Sequence, residues 1–232
     1  MFATESGLVL KPPVAPVLEA YHFTLDPYSP GQFTTMVINP PTGIVAGELL
    51  FIMASIYSQA NDNSTWTTIQ TAPGWTEMSV VTSPRGSISY TLMYKVADGT
   101  EGAVTCTLNT LQQAVNAGSY YCRISGANLT NSINSIGVAT GTLGTVLSIP
   151  QFNEGPVHAP LDFLFAVSNG HNSDLQISAA GYTQHTKDVV LNYNVGHEIA
   201  FGMSTSTTPG DNNVTTVAEA NIGGVQVSFA NA

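Results

Sequence analysis

The stretch Ala72-Pro73-Gly74-Trp75-Thr76-Glu77-Met78, APGWTEM, returns as AAGYTQH at 179–185. A Pro-Gly or Ala-Gly pair ahead of an aromatic residue reads as a tight turn feeding a strand, with Gly supplying backbone freedom and Pro, in the first copy, a fixed φ. The surroundings repeat too. The same displacement lays Leu92, Tyr94 and Val96 on Ile199, Phe201 and Met203, keeping alternate apolar positions on one face. A slightly larger one lays LLFIMA (49–54) on LDFLFA (161–166), the difference falling in the loop after Tyr57, and a slightly smaller one lays GSYYCRIS (118–125) on GVQVSFAN (224–231). Insertions in loops with alternation kept in strands are how a duplicated β unit diverges. Cys106 and Cys122 fall opposite Thr215 and Ser228, so one copy does without them.

Strand signals, short β-branched and aromatic runs between Gly, Pro, Asn and Asp, fill the chain from Gln32 onward. In the first half they cover 33–38, 48–57, 76–81, 88–96, 103–108 and 118–125. In the second they cover 145–149, 161–168, 183–190, 197–204, 214–220 and 223–229. No window predicts a long helix; NTLQQAVNAG (109–118) would make a turn or two. Strands without intervening helices require antiparallel sheets packed face to face. The expected fold is an all-β, antiparallel, jelly-roll-like β-sandwich over 32–232, built from sequence-related halves at 32–126 and 136–232. Between them ANLTNSINSIGVATGTLG carries regularly spaced Leu, Ile and Val and reads as continuing structure rather than a tether, favouring one compact sandwich over two tandem ones.

Residues 1–31 differ. Pro12, Pro13, Pro16, Pro27 and Pro30 oppose ladder pairing and hold the backbone extended, which predicts an N-terminal arm. Its apolar residues Phe2, Leu8, Val9, Leu10, Val14, Val17 and Leu18 are expected to lie along a surface, either the chain's own or a neighbour's.

Apolar residues make up 43% of the 232-residue chain and charged residues 9%, a composition that collapses into a packed core. Fifteen acids against five Lys or Arg give a net charge of -10, which excludes a phosphate-backbone partner. No stretch reaches the ~18–20 apolar residues of a membrane span. The first residues lack a basic n-region, so synthesis in a host cytoplasm is expected, with the sequons at Asn63, Asn128 and Asn213 as chance matches and both cysteines as buried thiols.

Chemistry has thin material. His22, His158, His171, His185 and His197 show no metal-ligand spacing, and the acids Glu48, Glu77, Asp162, Glu198 and Glu219 fall on strands with no rule pairing them. Neither NDN (61–63) nor DNN (211–213) follows the calcium-loop pattern. No cofactor and no catalytic or metal residue is expected, and the chain reads as non-enzymatic. Trp75 and Tyr182 read as core or rim anchors. Trp66, in the longer loop of the first copy, is the candidate ligand contact, the alternative being a loop aromatic folded back on the sheet.

The order AGELLFIMASI, TIQTAPGWTEM, ISYTLMYKVADGTEGAVTCTL, AGSYYCRISG resembles a family of phage and prophage virion β-sandwich proteins, whose pattern runs as a GDLLLA-like strand, a PAGWT turn, a YKVA strand and a YxG ending. The likeness spans about residues 43–126 and, more faintly, 145–232. The chain departs from it at Glu48, where an Asp is usual, and at Cys122-Arg123 in the last strand. The resemblance implies a virion component: a capsid decoration or cement protein on the outer capsid surface, docking through Phe2, Leu8, Val9, Leu10, Pro12, Pro13, Val14, Val17 and Leu18. Its partners would be the major capsid protein or other virion proteins and further copies of itself, a trimer among the candidate assemblies, with no nucleic acid and no membrane. The alternative is a receptor- or carbohydrate-binding head-fibre or tail-fibre module, in which Trp66 would matter.

Overall fold

A computed structural model describes residues 13–26, 34–58, 68–82, 88–109, 114–131, 133–149, 161–169, 174–177, 182–192, 195–204 and 212–232. Every regular element among them is a strand: β1 (Val17–Asp26), β2 (Thr35–Ile38), β3 (Leu49–Ser58), β4 (Thr68–Ile69), β5 (Thr76–Thr82), β6 (Ile88–Val96), β7 (Val104–Asn109), β8 (Ala114–Ser125), β9 (Ile133–Ile149), β10 (Leu161–Ser168), β11 (Gln176–Ile177), β12 (Thr183–Asn192), β13 (Val195–Ser204) and β14 (Asn212–Phe229). All ladders are antiparallel.

One large sheet runs β1-β8-β3-β6-β5; the other runs β14-β10-β13-β12, with β9 on the free side of β14. Strand for strand, β9-β14-β10-β13-β12 repeats the first order. The repeated stretch matches in place: β5 and β12 each begin directly after its aromatic residue, Trp75 or Tyr182, and each carries a register shift at the same place, between Glu77 and Ser79 and between Gln184 and Thr186.

Both large sheets are covered on both faces. Leu49–Ile56 of β3 and all of β10 are buried residue after residue, which is why those strands read as continuous apolar runs. Alternate residues then serve different cores. Phe51 and Met53 face β10's Phe163 and Phe165 in a central core between the large sheets, while Leu50, Ile52 and Ala54 face a small sheet, β2-β7-β4. On the far side, Leu164 and Ala166 face an outer layer made by the end of β9 (Leu147, Ile149), the start of β14 (Val214) and β11 (Ile177). There β14 pairs with both β9 and β11, as β7 pairs with β2 and β4.

The central core is aromatic. Phe165 stacks on Phe201 (5.0 Å, 15°) and on Phe51 (5.6 Å, 17°), and Phe163 meets Phe229 edge to face (4.8 Å, 68°). Close approach of the sheets depends on two glycines: a Cβ on Gly118 of β8 would sit 2.4 Å from Ile199 Cδ1, and one on Gly223 of β14 would sit 2.8 Å from Tyr90 Cε1. Two hydroxyls cross the same gap, Tyr90 donating to the Gly224 carbonyl (3.0 Å) and Tyr120 to that of Ile199 (3.3 Å). Burial pushes the Tyr90 phenol well above its ordinary value, so it stays a donor.

Several expectations need correction. The arm does not extend to residue 31: residues 17–26 form β1 on β8, because the prolines at 16 and 27 bracket a proline-free run that can pair. The linker after Gly126 contains a strand of 17 residues, β9, whose Gly and Thr content hid it, and 214–229 is part of one strand, not two. The body is the expected sandwich-like stack of antiparallel sheets, but among the described residues it holds three hydrophobic cores rather than one. In the ladders Tyr94 lies beside Phe51 and Thr76, and Met203 beside Phe163 and Thr183, so Tyr94 answers to Met203 rather than Phe201. Likewise Cys122 and Val227 pair with Phe51 and Phe163, so Cys122 answers to Val227 rather than Ser228. Both cysteines are free and buried on opposite sides of the first large sheet, Cys122 of β8 in the central core and Cys106 of β7, in the small sheet, in the outer core, where burial pushes its thiol up to about 11.

Gly118→Ala is expected to cost about 1–3 kcal/mol through overpacking. Ile199→Val, which removes the methyl group in the way, should recover part of that loss in the double variant although it is destabilising alone. Urea unfolding of the four proteins measures the cycle; strictly additive losses would show that the two residues are not coupled.

Candidate functional site

The N-terminal segment leaves the body beside the C-terminus. The Val14 carbonyl accepts the N–H of Ala232 (3.1 Å), which also donates to Gly126 (3.0 Å), while Asn128 N–H bonds to Ala230 (2.9 Å) and Ala127 bridges to Asn231. Gly126 closes the arrangement: its φ is +67°, and a Cβ there would lie 2.3 Å from the Ala15 carbonyl oxygen. Only glycine tolerates both conditions. Of the nine residues expected to dock, Phe2, Leu8, Val9, Leu10 and Pro12 lie outside the described residues, as does Trp66. Pro13 is exposed, and Val14 and Val17 are large apolar residues 43% and 50% exposed at the exit. Leu18 is different: it is half-buried against the central core and belongs to the body.

Next to this exit sits an ion pair between Glu48 and Arg123, the two positions at which the sequence departs from the pattern it resembles. Arg123 donates through Nε and Nη2 to both oxygens of Glu48 (2.9 and 2.7 Å) and through Nη1 to the Thr42 carbonyl (2.8 Å). Glu48 also accepts the Val45 N–H (2.9 Å). The longer Glu and the Arg are therefore matched partners across β3 and β8, a two-pronged geometry that only guanidinium offers. The Arg123 hydrogen bonds outweigh desolvation and hold the Glu48 carboxyl below its ordinary value.

A separate cleft of about 230 Å³ opens where the repeated turn meets the small sheet. Trp75 N–H bonds to the Ala72 carbonyl (3.1 Å), and Gly74 has φ +82°, so Pro73-Gly74 makes a type II turn that fixes Trp75 at the rim. The remaining wall is Lys95 and residues 101–105. Lys95 Nζ bonds to Glu101 (3.0 Å), whose oxygens also accept the N–H groups of Asp98 (2.7 Å) and Gly99 (3.0 Å). Burial pushes the Glu101 carboxyl up, but these donors outweigh it and keep it ionised. Beneath, Tyr121 meets Trp75 edge to face (5.5 Å, 80°); it is fully buried, and its hydroxyl has no hydrogen-bond partner among the described residues. Burial and the Glu101 charge both raise the Tyr121 phenol. Trp75 thus serves as rim and lining at once. Lys95 and Glu101 escaped the sequence reading, although an acid closing the Asp98-Gly99-Thr100 turn, with Lys95 just ahead of it, was the available signal.

The strand-borne acids do not converge. Glu77 accepts the Thr71 hydroxyl (2.7 Å), Glu198 accepts the N–H groups of Asp174 (3.3 Å) and Leu175 (2.6 Å), Asp162 is buried on β10, and Glu219 is exposed on β14. His22 is exposed on β1; His158 and His171 lie outside the described residues. Among the described residues no three His, Cys, Asp or Glu side chains gather as metal ligands. Comparison with protein families, with curated proteins and with solved structures finds no match.

Two outcomes are expected here. Folded Glu48 titrates below its ordinary value of 4.5, so its contribution is full above that value and is lost as pH falls through the folded one. Glu48→Gln should cost about 1–2 kcal/mol at neutral pH and flatten the loss of stability in acid, measured by urea unfolding across that range. Gly126→Ala should detach residues 13–16, seen as faster amide exchange at Ala232 while the central strands keep their protection.

Proposed function

We propose that the protein is a non-enzymatic phage virion protein, a capsid decoration or cement protein that docks on the major capsid protein through its N-terminal segment. The observation that carries this reading is the fixed exit: Val14 and Val17 stand exposed at a point clamped by Gly126 and Ala232, directly ahead of which the sequence places Leu8, Val9, Leu10, Pro12 and Pro13. A proline-restricted segment loses little conformational entropy on docking, so modest apolar contact suffices. The net charge of -10 suits the outside of a particle better than its DNA-facing side. Other copies of the chain, as in a trimer, would multiply the contact by avidity. The second reading is a receptor- or carbohydrate-binding head-fibre or tail-fibre module, for which Trp66, outside the described residues, is the candidate contact.

The test is to add the full chain, or a chain lacking residues 1–12, to particles grown without it and to sediment them. Truncation stops short of β1, since removing β1 would strip Leu18, Tyr21 and Phe23 from the central core. The expected result is cosedimentation of the full chain and loss of attachment by the truncated one with unchanged unfolding midpoint. Equal attachment of both overturns the docking role.

A further inference from the structure

We infer that the end of the body from which the N-terminal segment departs is itself a docking surface, seated through Val14, Val17, Val45, Val96 and Leu129 on the same particle protein that takes the segment. This rests on the docking reading and adds a second element to it: the body, and not the segment alone, touches the partner.

Antiparallel pairing puts the five residues at one end. Val17 begins β1 opposite Ser125, the last residue of β8, and Leu49, the first of β3, pairs with both Ile124 of β8 and Val96, the last of β6. Val45 donates its N–H to Glu48, just ahead of β3. Leu129 follows Asn128, whose N–H donates to the Ala230 carbonyl just past β14. Among the described residues eight large apolar side chains are exposed, and these five, at 43%, 50%, 57%, 40% and 45% in the order named, are the ones gathered at strand ends on one side of the body. Exposed apolar residues scattered singly need no account, but a group of them marks a contact surface. The fold does not need them for closure, because Leu49, Ile124, Leu161 and Phe229 already seal this end of the central core at 1% exposure or less.

Charge and chain length select the occupant. The cations here are spoken for: Arg123 is paired with Glu48, their side chains 14% and 9% exposed, and Lys95 with Glu101 at 3.0 Å. Glu19 and Asp98, each two residues beyond one of the valines, are exposed acids. The matching surface is therefore apolar with basic groups at its margin. The described chain begins at residue 13, and Val14 is fixed to this end by the N–H of Ala232. Leu10 stands four residues before Val14, so it lies at most ~14 Å along the chain from it. A partner gripping Leu8, Val9 and Leu10 is thereby held against the strand ends at high effective concentration, where a weak second contact multiplies the first.

Val45→Thr, Val96→Thr and Leu129→Asn, combined in the full chain, keep the shape of each side chain and add a polar atom that docking would leave unpaired. Val37→Thr is the control: Val37 is 45% exposed, but it points off the outer face of β2, away from the core that takes Met36 and Ile38. Both variants, the unaltered chain and the chain lacking residues 1–12 are titrated onto particles grown without the protein, and the bound fraction is pelleted. The triple variant is expected to need about tenfold more protein for half-saturation at an unchanged unfolding midpoint, and Val37→Thr to match the unaltered chain. Equal attachment of the triple variant and the unaltered chain overturns this inference, and the docking reading still stands if the truncated chain has lost attachment. An equal loss in the triple variant and in Val37→Thr overturns it as well, since the effect would not belong to the strand ends. No attachment by the unaltered chain overturns the docking reading and this inference with it.

Discussion

Everything in this fold is arranged around the contact between its two large sheets. Phe51, Phe163, Phe165, Phe201 and Phe229 interlock there, and the sheets approach closely enough for that only because Gly118 lies under Ile199 and Gly223 under Tyr90. Tyr90 and Ile199 occupy corresponding places on β6 and β13, as Gly118 and Gly223 do on β8 and β14, so the same small-against-large contact is made twice, once from each side. Hydroxyls from Tyr90 and Tyr120 add hydrogen bonds across the gap without leaving a polar group stranded.

That contact dictates the remaining layers. A sheet that gives one face to its twin has a second face to hide, and β3 and β10, apolar on both, could not leave it in water. Hence the outer coverings, the three-stranded sheet on one side and the ends of β9, β11 and β14 on the other. The interior is fully committed to packing, so contact with other molecules is pushed outward, to the corner where residues 13–16 run past Gly126. Rigid support is what makes that place usable: the exit is held by hydrogen bonds from the last residue.

Strands were legible wherever alternation or an unbroken apolar run met Gly or Pro punctuation, as at 48–57 and 161–168. β9 was not, because Thr and Gly dilute its pattern, and its identity comes from pairing with β14 over thirteen positions. β1 was obscured by prolines that flank it rather than interrupt it. Of the sites, the exit could be seen only as a proline-rich beginning, and Val17 and Leu18, neighbours in sequence, part company in space: one faces solvent and the other the central core. Glu48 and Arg123 looked like two unrelated departures from a pattern. They are 75 residues apart in sequence and bonded in space.

The sequence by itself determined that the described residues form antiparallel strands without helices, that a Pro/Ala-Gly-aromatic stretch precedes a strand twice, and that acids outnumber bases fifteen to five. Those properties follow from local sterics, side-chain period and charge counting, all of which are written in short stretches. Tertiary structure alone decided which face of each strand meets which core, that Cys106 and Cys122 never meet, and that Trp75, Lys95 and Glu101 share a wall. Such decisions depend on ladder register, where a slip of one residue turns a side chain to the opposite face, and register is settled only when distant strands compete for the same buried area.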